Sequence, residues 1–185
     1  MIKFTFQFKN DLLNKTIVLL GYMGCGKSRI GVELSQRIEI AYVDLDSYIE
    51  EQENESIKSI FDRKGELYFR RIERQYLEQL LSQKDPIILA LGGGTPCYYD
   101  SMDYIVKSHA TSIYLKASIS TLASRLASEK SERPLISHLE SEDNLVEYIG
   151  KHLFERLSYY SKASHTVSVD SDTPEALAEK IQSLV

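Results

Sequence analysis

The sequence predicts an α/β fold, with a five-stranded parallel sheet covered on both faces by helices in three layers. Two patterns carry that expectation. Short, largely apolar runs recur along the chain, and longer stretches with helical spacing separate them. Parallel strands need helical crossovers, which bury both faces of the sheet, so such strands read as apolar runs and not as strict alternation. The size agrees: 185 residues, 43% hydrophobic and 26% charged, suit a single globular domain with a real core.

Taken in order, "KTIVLLG" (15–21) is the first strand, and the glycine loop after it opens a helix over about 27–38. "IAYVDLD" (40–46) is the second strand. Ser47 and Glu50 behind it have capping-box spacing, which predicts a helix start there. "DRKG" (62–65) lies in an amphipathic helical stretch. In 66–81, Ile72, Tyr76 and Leu80, with Leu77 and Leu81, recur at helical spacing and turn one face to the sheet. "PIILALGGG" (86–94), "TSIYLKA" (111–117) and "HTVSVD" (165–170) are the remaining strands. Thr173 before Pro174 predicts an N-cap followed by proline at the first helical position. The stretch 128–143 is polar and charged around "RPLI" and reads as a mobile lid. Residues 1–14, where Phe4, Phe6 and Phe8 alternate, read as an ordered N-terminal extension of the one domain spanning 1–185.

Composition excludes several classes. A net charge of −5 supplies no basic field for nucleic acid or an anionic membrane. Any anionic ligand must be held by a few locally placed cations. No apolar run approaches the ~20 residues that span a bilayer, and the N-terminus lacks a signal-peptide pattern. Cys25 and Cys97 are the only cysteines, and the four histidines are scattered, so neither a disulfide framework nor a structural metal is expected. These features predict a soluble protein of the reducing cytoplasm.

"GYMGCGKS" (21–28) fits G-x-x-x-x-G-K-[ST], with a strand before it and a helix after it. In such a P-loop, glycines let backbone N–H groups turn onto phosphate oxygens, and the helix start adds its positive end. Gly24, Cys25 and Gly26 form the cradle, Lys27 reaches the β- and γ-phosphates, and Ser28 is placed to ligate Mg²⁺. A simple glycine turn is the plainer reading, and the flanking strand and helix favour the nucleotide. Cys25 is either a redox-sensitive thiol at a helix start or a small filler in a tight turn; the filler is preferred. Arg29 follows Ser28 on the helix and joins the nucleotide set by position, although a solvent-facing role is the simpler reading.

Asp44 and Asp46, two apart at the carboxyl end of the second strand, are expected to project from the same side, where open α/β sheets bind ligands. The alternative is a pair of loop acids, one of them capping the next helix. Gly92, Gly93 and Gly94 end the third strand and let a ligand approach the backbone closely. In "GELYFRRIE" (65–73), Arg70 and Glu73 share a helical face, so the acid can orient the arginine toward a substrate anion; periodicity alone does not separate Arg70 from Arg71. Arg133 in the lid and Arg156 in "ERLSYY" are individually ordinary surface arginines.

Together, "GYMGCGKS", "DLD", "GELYFRRIE", "GGG", "RPL" and "RLSYYSKA", in this order, resemble the shikimate kinases, from about Lys15 to the last helix. The P-loop is shared with a large superfamily; the combination with the other motifs is specific. The resemblance implies a P-loop fold like that of nucleoside-monophosphate kinases and transfer of the γ-phosphoryl of ATP to the 3-hydroxyl of shikimate, on the route to chorismate. It implies Asp44 near Mg²⁺ through water, and Asp46 on the substrate hydroxyl. Arg70 and Arg156 would clamp the substrate carboxylate, and Gly92, Gly93 and Gly94 would line the pocket. Arg133 would neutralise the transferring group, and Arg125 would lie near the adenine, which "VDSDTPEA" (169–176) would cover. Similar kinases are monomers, and a monomer is expected. Gluconate-type kinases share the P-loop but not the full set. A GTPase switch would need N-K-x-D, which is missing from the sequence.

Overall fold

The computed structural model describes residues 15–129, 134–139 and 141–185. The extension expected over 1–14 and Arg133 lie outside the described residues.

Five strands form one parallel sheet: β1 (Ile17–Leu20), β2 (Ala41–Asp44), β3 (Ile87–Ala90), β4 (Thr111–Lys116) and β5 (His165–Ser168), in the spatial order β2-β3-β1-β4-β5. Every residue of β1 and β3 is buried, as their unbroken apolar sequences require. The register is level where the strands end. Asp44 lies opposite Ala90, Ala90 opposite Leu19, and the Leu91 N–H extends the ladder to the Leu19 carbonyl at 3.0 Å. The loops leaving β1, β2 and β3 therefore emerge side by side at the carboxyl edge of the sheet, where ligands bind in such folds.

The helices are α1 (Lys27–Ile38), α2 (Leu45–Glu53), α3 (Ile57–Lys64), α4 (Glu66–Leu81), α5 (Ser101–Lys107), α6 (Ile119–Ala127), the short α7 (Pro134–Ser137), α8 (Glu142–Tyr160) and α9 (Pro174–Gln182). Each long helix turns an apolar stripe to the sheet. Ile30 and Leu34 of α1, Leu77 and Leu80 of α4, Leu122 and Leu126 of α6, and Leu177 and Ile181 of α9 are all buried. Serine and threonine caps start several of them: Ser56 receives the Ser59 N–H, Ser118 that of Thr121, Ser141 that of Asn144, and Thr173 that of Ala176. The last is the cap that Thr173–Pro174 predicted.

Two boundaries differ from the sequence reading. The second strand stops at Asp44, and Asp46 stands in the first turn of α2. The N-cap lies three residues before Ser47, at Asp44, whose Oδ1 accepts from the N–H groups of Asp46 at 3.1 Å and Ser47 at 3.2 Å. The early start also drops Leu45 fully into the core. The Ser47–Glu50 capping box therefore does not form. Glu50 instead accepts the Ile57 N–H at 2.8 Å and ties α2 to α3. In the stretch expected as a polar lid, α7 forms a helical turn that buries Ile136. On α8, Val146, Phe154 and Leu157 share an exposed face, with Phe154 82% exposed, an apolar strip that the sequence reading did not single out.

Helix α1 comes very close to β2. A Cβ at Gly31 would lie 2.5 Å from one carbon of the Tyr42 ring and 3.2 Å from Leu19. Gly31→Ala should therefore lower stability by about 1–3 kcal/mol through overpacking, despite the better helix propensity of alanine. Chemical denaturation checks this, and an unchanged midpoint would contradict it.

Candidate active site

The P-loop leaves β1 at Gly21 and enters α1 at Lys27. Gly24 and Gly26 take φ values of +80° and +96°, the left-handed region that favours glycine. At Gly21, a Cβ would lie 2.7 Å from the Leu115 carbonyl oxygen, so the loop passes tight over β4. Lys27 Nζ folds along the loop and donates to the carbonyls of Gly21 (2.9 Å) and Tyr22 (3.2 Å). The Cys25 side chain is buried, its Sγ 2.9 Å from the Cβ position of Gly21, which is the small-filler reading. Gly24, Cys25, Gly26, Lys27, Ser28 and Arg29 all line one cavity of about 540 Å³, a volume that suits a small-molecule ligand. Arg29 is exposed at its rim.

Arg125 forms the opposite wall. Its Nη2 donates to the Val169 carbonyl at 2.8 Å, and its Nη1 to the carbonyls of Gly24 (3.3 Å) and Cys25 (3.4 Å). It therefore ties the back of the P-loop to the segment that leads to α9. Asp172 and Pro174 of that segment line the same cavity.

Asp44 and Asp46 both line the cavity, although a cap and a helical turn place them there and not a shared strand face. Asp44 is held on both oxygens. Oδ1 accepts the two α2 N–H groups, and Oδ2 accepts the Tyr42 hydroxyl at 3.3 Å, which leaves acceptor capacity on Oδ2. Asp46 is perturbed. Burial, then the carboxylates of Asp44 and Glu73, push its pKa up to about 6, against the pull of Lys27 and Arg70.

The glycine run makes the closest approaches in the site. A Cβ at Gly92 would lie 2.9 Å from Asp46 Oδ1 and 3.0 Å from Thr95 Oγ1. One at Gly93 would lie 3.5 Å from Arg156 Nη1, and one at Gly94 3.0 Å from Arg70 Nη2. Three successive backbone positions thus face the acid and the two arginines singled out from sequence. The cavity lining includes Gly92 and Gly93 but stops short of Arg70 and Arg156, which gather beyond it.

The structure separates Arg70 from Arg71: Arg71 is exposed over the Tyr68 ring, whereas Arg70 is fixed on several sides. Its Nη1 donates to Glu73 at 2.8 Å and its Nε to Glu66 at 3.4 Å. Its guanidinium stacks 4.1 Å from the centroid of the Tyr98 ring. Arg156 lies 5.4 Å from the centroid of the Tyr22 ring, and Tyr160, one turn on, donates to the Gly93 carbonyl. Sequence reasoning missed Tyr22, Thr95, Tyr98 and Tyr160. Tyr160 follows Arg156 by one helical turn, a spacing that could have flagged it; Tyr22 and Tyr98 gave no signal.

A family model described as "Shikimate kinase" matches residues 23–185. The chain belongs to the shikimate kinase family. The shikimate kinase of Flavobacterium johnsoniae is 47% identical over 165 residues, covering 89% of this chain and 95% of that one. The crystal structure of shikimate kinase from Bacteroides thetaiotaomicron superposes with a TM-score of 0.84 at 29% identity, covering 92% of this chain and 97% of the other. Shikimate kinase from Acinetobacter baumannii in complex with shikimate gives a TM-score of 0.81 at 29% identity, with 95% and 96% covered. The chain is an ATP-dependent phosphotransferase of this family on a P-loop kinase fold.

The raised pKa of Asp46 carries a stability cost with a definite sign. Its ordinary value is 3.8, and in the fold it is about 6, so the ionised form is disfavoured in the fold. The cost is absent below about pH 4, grows as pH rises from about 4 to 6, where the unfolded chain ionises first, and is complete above about 6. Asp46→Asn should accordingly raise the thermal midpoint at pH 7.5 and gain less at pH 5. Equal midpoints for the two proteins at pH 7.5 would contradict the assignment.

Proposed function

We propose that this cleft transfers the γ-phosphoryl of ATP to the 3-hydroxyl of shikimate, and that the residues around the glycine run carry the reaction. The observation behind this reading is the convergence of Asp46, Arg156 and Arg70 on Gly92, Gly93 and Gly94. Two arginines beyond a phosphate-sized cradle offer a charge-assisted clamp for a carboxylate. A partly buried acid between the clamp and the P-loop suits a substrate hydroxyl. Lys27 releases the loop carbonyls to take the β- and γ-phosphates, and Arg125 flanks the adenine together with the 169–176 segment.

The metal set is Ser28 and Asp44. Both are hard oxygen donors on the cavity wall, and Asp44 Oδ2 keeps room for one more bond, which fits an ion held largely through water. Mg²⁺ bound there would neutralise charge on the phosphates. Asp46 orients the shikimate hydroxyl and takes its proton as the hydroxyl oxygen bonds to the γ-phosphorus and ADP departs. Phosphoryl transfer needs alignment and charge neutralisation more than covalent help. Arg133, in the 128–143 segment read as a lid, is assigned to the same charge. A monomer is the state expected from the resemblance. Among the described residues no helix is long and apolar enough to cross a membrane, and the enzyme is assigned to the cytoplasm.

A panel of acceptors with coupled detection of ADP tests the reaction. ADP should form with shikimate, and preferential turnover of gluconate or a nucleoside monophosphate would overturn the reading. Asp46→Asn should cut kcat by about 10²–10⁴ while ATP affinity barely moves, and wild-type kcat/KM should fall as pH drops below about 6 because Asp46 must be ionised to accept the proton. Equal turnover in the two proteins would reject the role of Asp46. Arg70→Ala should weaken shikimate binding by about 2–5 kcal/mol, and an unchanged KM would contradict the carboxylate clamp.

A further inference from the structure

We infer that Thr95 is a positioning residue for acid-substrate binding: its hydroxyl locks Glu73, and Glu73 in turn locks Arg70. Thr95 is fully buried, immediately after the glycine run, at the start of a 3-10 turn (Thr95–Cys97). Its backbone is pinned by the bond from its own N–H to the Gly92 carbonyl at 3.2 Å and by the Cys97 N–H on the Gly94 carbonyl at 2.9 Å. The direction of the hydroxyl follows. It donates to Glu73 Oε1 at 2.6 Å, a short bond of the kind made to an ionised carboxylate.

Glu73 is 2% exposed, so it meets almost no water. Its two oxygens are divided between two donors, Oε1 to Thr95 and Oε2 to Arg70 Nη1 at 2.8 Å. With Nη1 spent on Glu73 and Nε on Glu66, Arg70 keeps Nη2 without a hydrogen-bond partner among the described residues, on the side of the Gly94 backbone. That free edge is the one the proposed function gives to the substrate carboxylate, and this inference rests on that reading. Removal of the Thr95 hydroxyl would strand a buried carboxylate oxygen. Glu73 would then be free to turn, and Arg70 would lose the partner that aims it. The nucleotide cradle would not notice, because the Thr95–Glu73–Arg70 chain makes no hydrogen bond to the P-loop.

The test is calorimetric binding of shikimate, and separately of ATP, to the whole chain. Thr95→Val keeps the shape and removes the hydroxyl. Loss of a hydrogen bond to a buried charge predicts about a ten-fold or larger rise in the shikimate Kd, with the ATP Kd unchanged. Thr95→Ser keeps the hydroxyl and should restore most of the affinity. If Thr95→Val does not fold, Thr95→Ser against Thr95→Ala makes the same comparison. The inference is overturned if the variant without the hydroxyl binds shikimate like wild type, if ATP weakens as much as shikimate, or if the serine variant fails equally. Failure of wild type to bind shikimate would bring down the functional reading with it, whereas normal wild-type binding with an indifferent valine variant would remove this inference alone.

Discussion

The site depends on a stretch of backbone that passes its charged side chains with little or no room for a side chain at Gly92 and Gly94. At Gly92 an added Cβ would lie 2.9 Å from the Asp46 carboxylate, and at Gly94 3.0 Å from the Arg70 guanidinium. The first is shorter than real Cβ contacts and the second is tight, so the neighbour must yield, which would mean moving the groups that the proposed chemistry needs. Gly94 lies at φ −90°, and none of the three has a positive φ. The requirement is therefore one of space and not of backbone conformation. That distinguishes this run from the P-loop, where Gly24 and Gly26 are held at positive φ.

Charge around the run is arranged in opposition. Asp44, Asp46 and Glu73 crowd together and would repel, and Lys27 and Arg70 stand among them. The result is uneven. Glu73 has two donors of its own and is fully paired, and Asp44 is bonded by two backbone N–H groups and a phenol. Asp46 has no such set of partners; burial first, and then the repulsion, lift its pKa toward the range useful to a general base. The same environment that costs stability at neutral pH suits Asp46 to its proposed role as proton acceptor, a common trade at active sites.

Much of this was legible in the sequence, because the signals were local. Buried strands appear as apolar runs, the P-loop as a spacing, and the cap at Thr173 as a Thr-Pro pair. The boundary at Asp44 was legible only as an alternative, one of the two acids capping the next helix, because Asp44 and Ser47 are both good caps; in the structure Asp44 takes the role and Leu45 is fully buried. The separation of Arg70 from Arg71 also had to wait for tertiary structure, since it depends on Glu73, Tyr98 and Gly94 meeting from three different elements. Thr95 matters through its bond to Glu73, 22 residues away, and Tyr160 through its bond to Gly93, 67 residues away; the spacing from Arg156 could single out Tyr160, but no local pattern names either partner.

The distance between the two ligand sites is set by strand register. The Cβ position of Gly93 is 3.5 Å from the Met23 backbone nitrogen and 3.6 Å from the Gly21 carbonyl oxygen, so the glycine run lies directly against the P-loop. What holds the two loops level is the β1–β3 ladder, Leu19 opposite Ala90 with the Leu91 N–H on the Leu19 carbonyl. A slip of one residue would carry the glycine run ~3.3 Å along the sheet and reverse which side chains face the core. Phosphoryl transfer fails over smaller displacements than that. The fully buried apolar strands, which touch no ligand, therefore fix the reaction geometry as firmly as the residues that do.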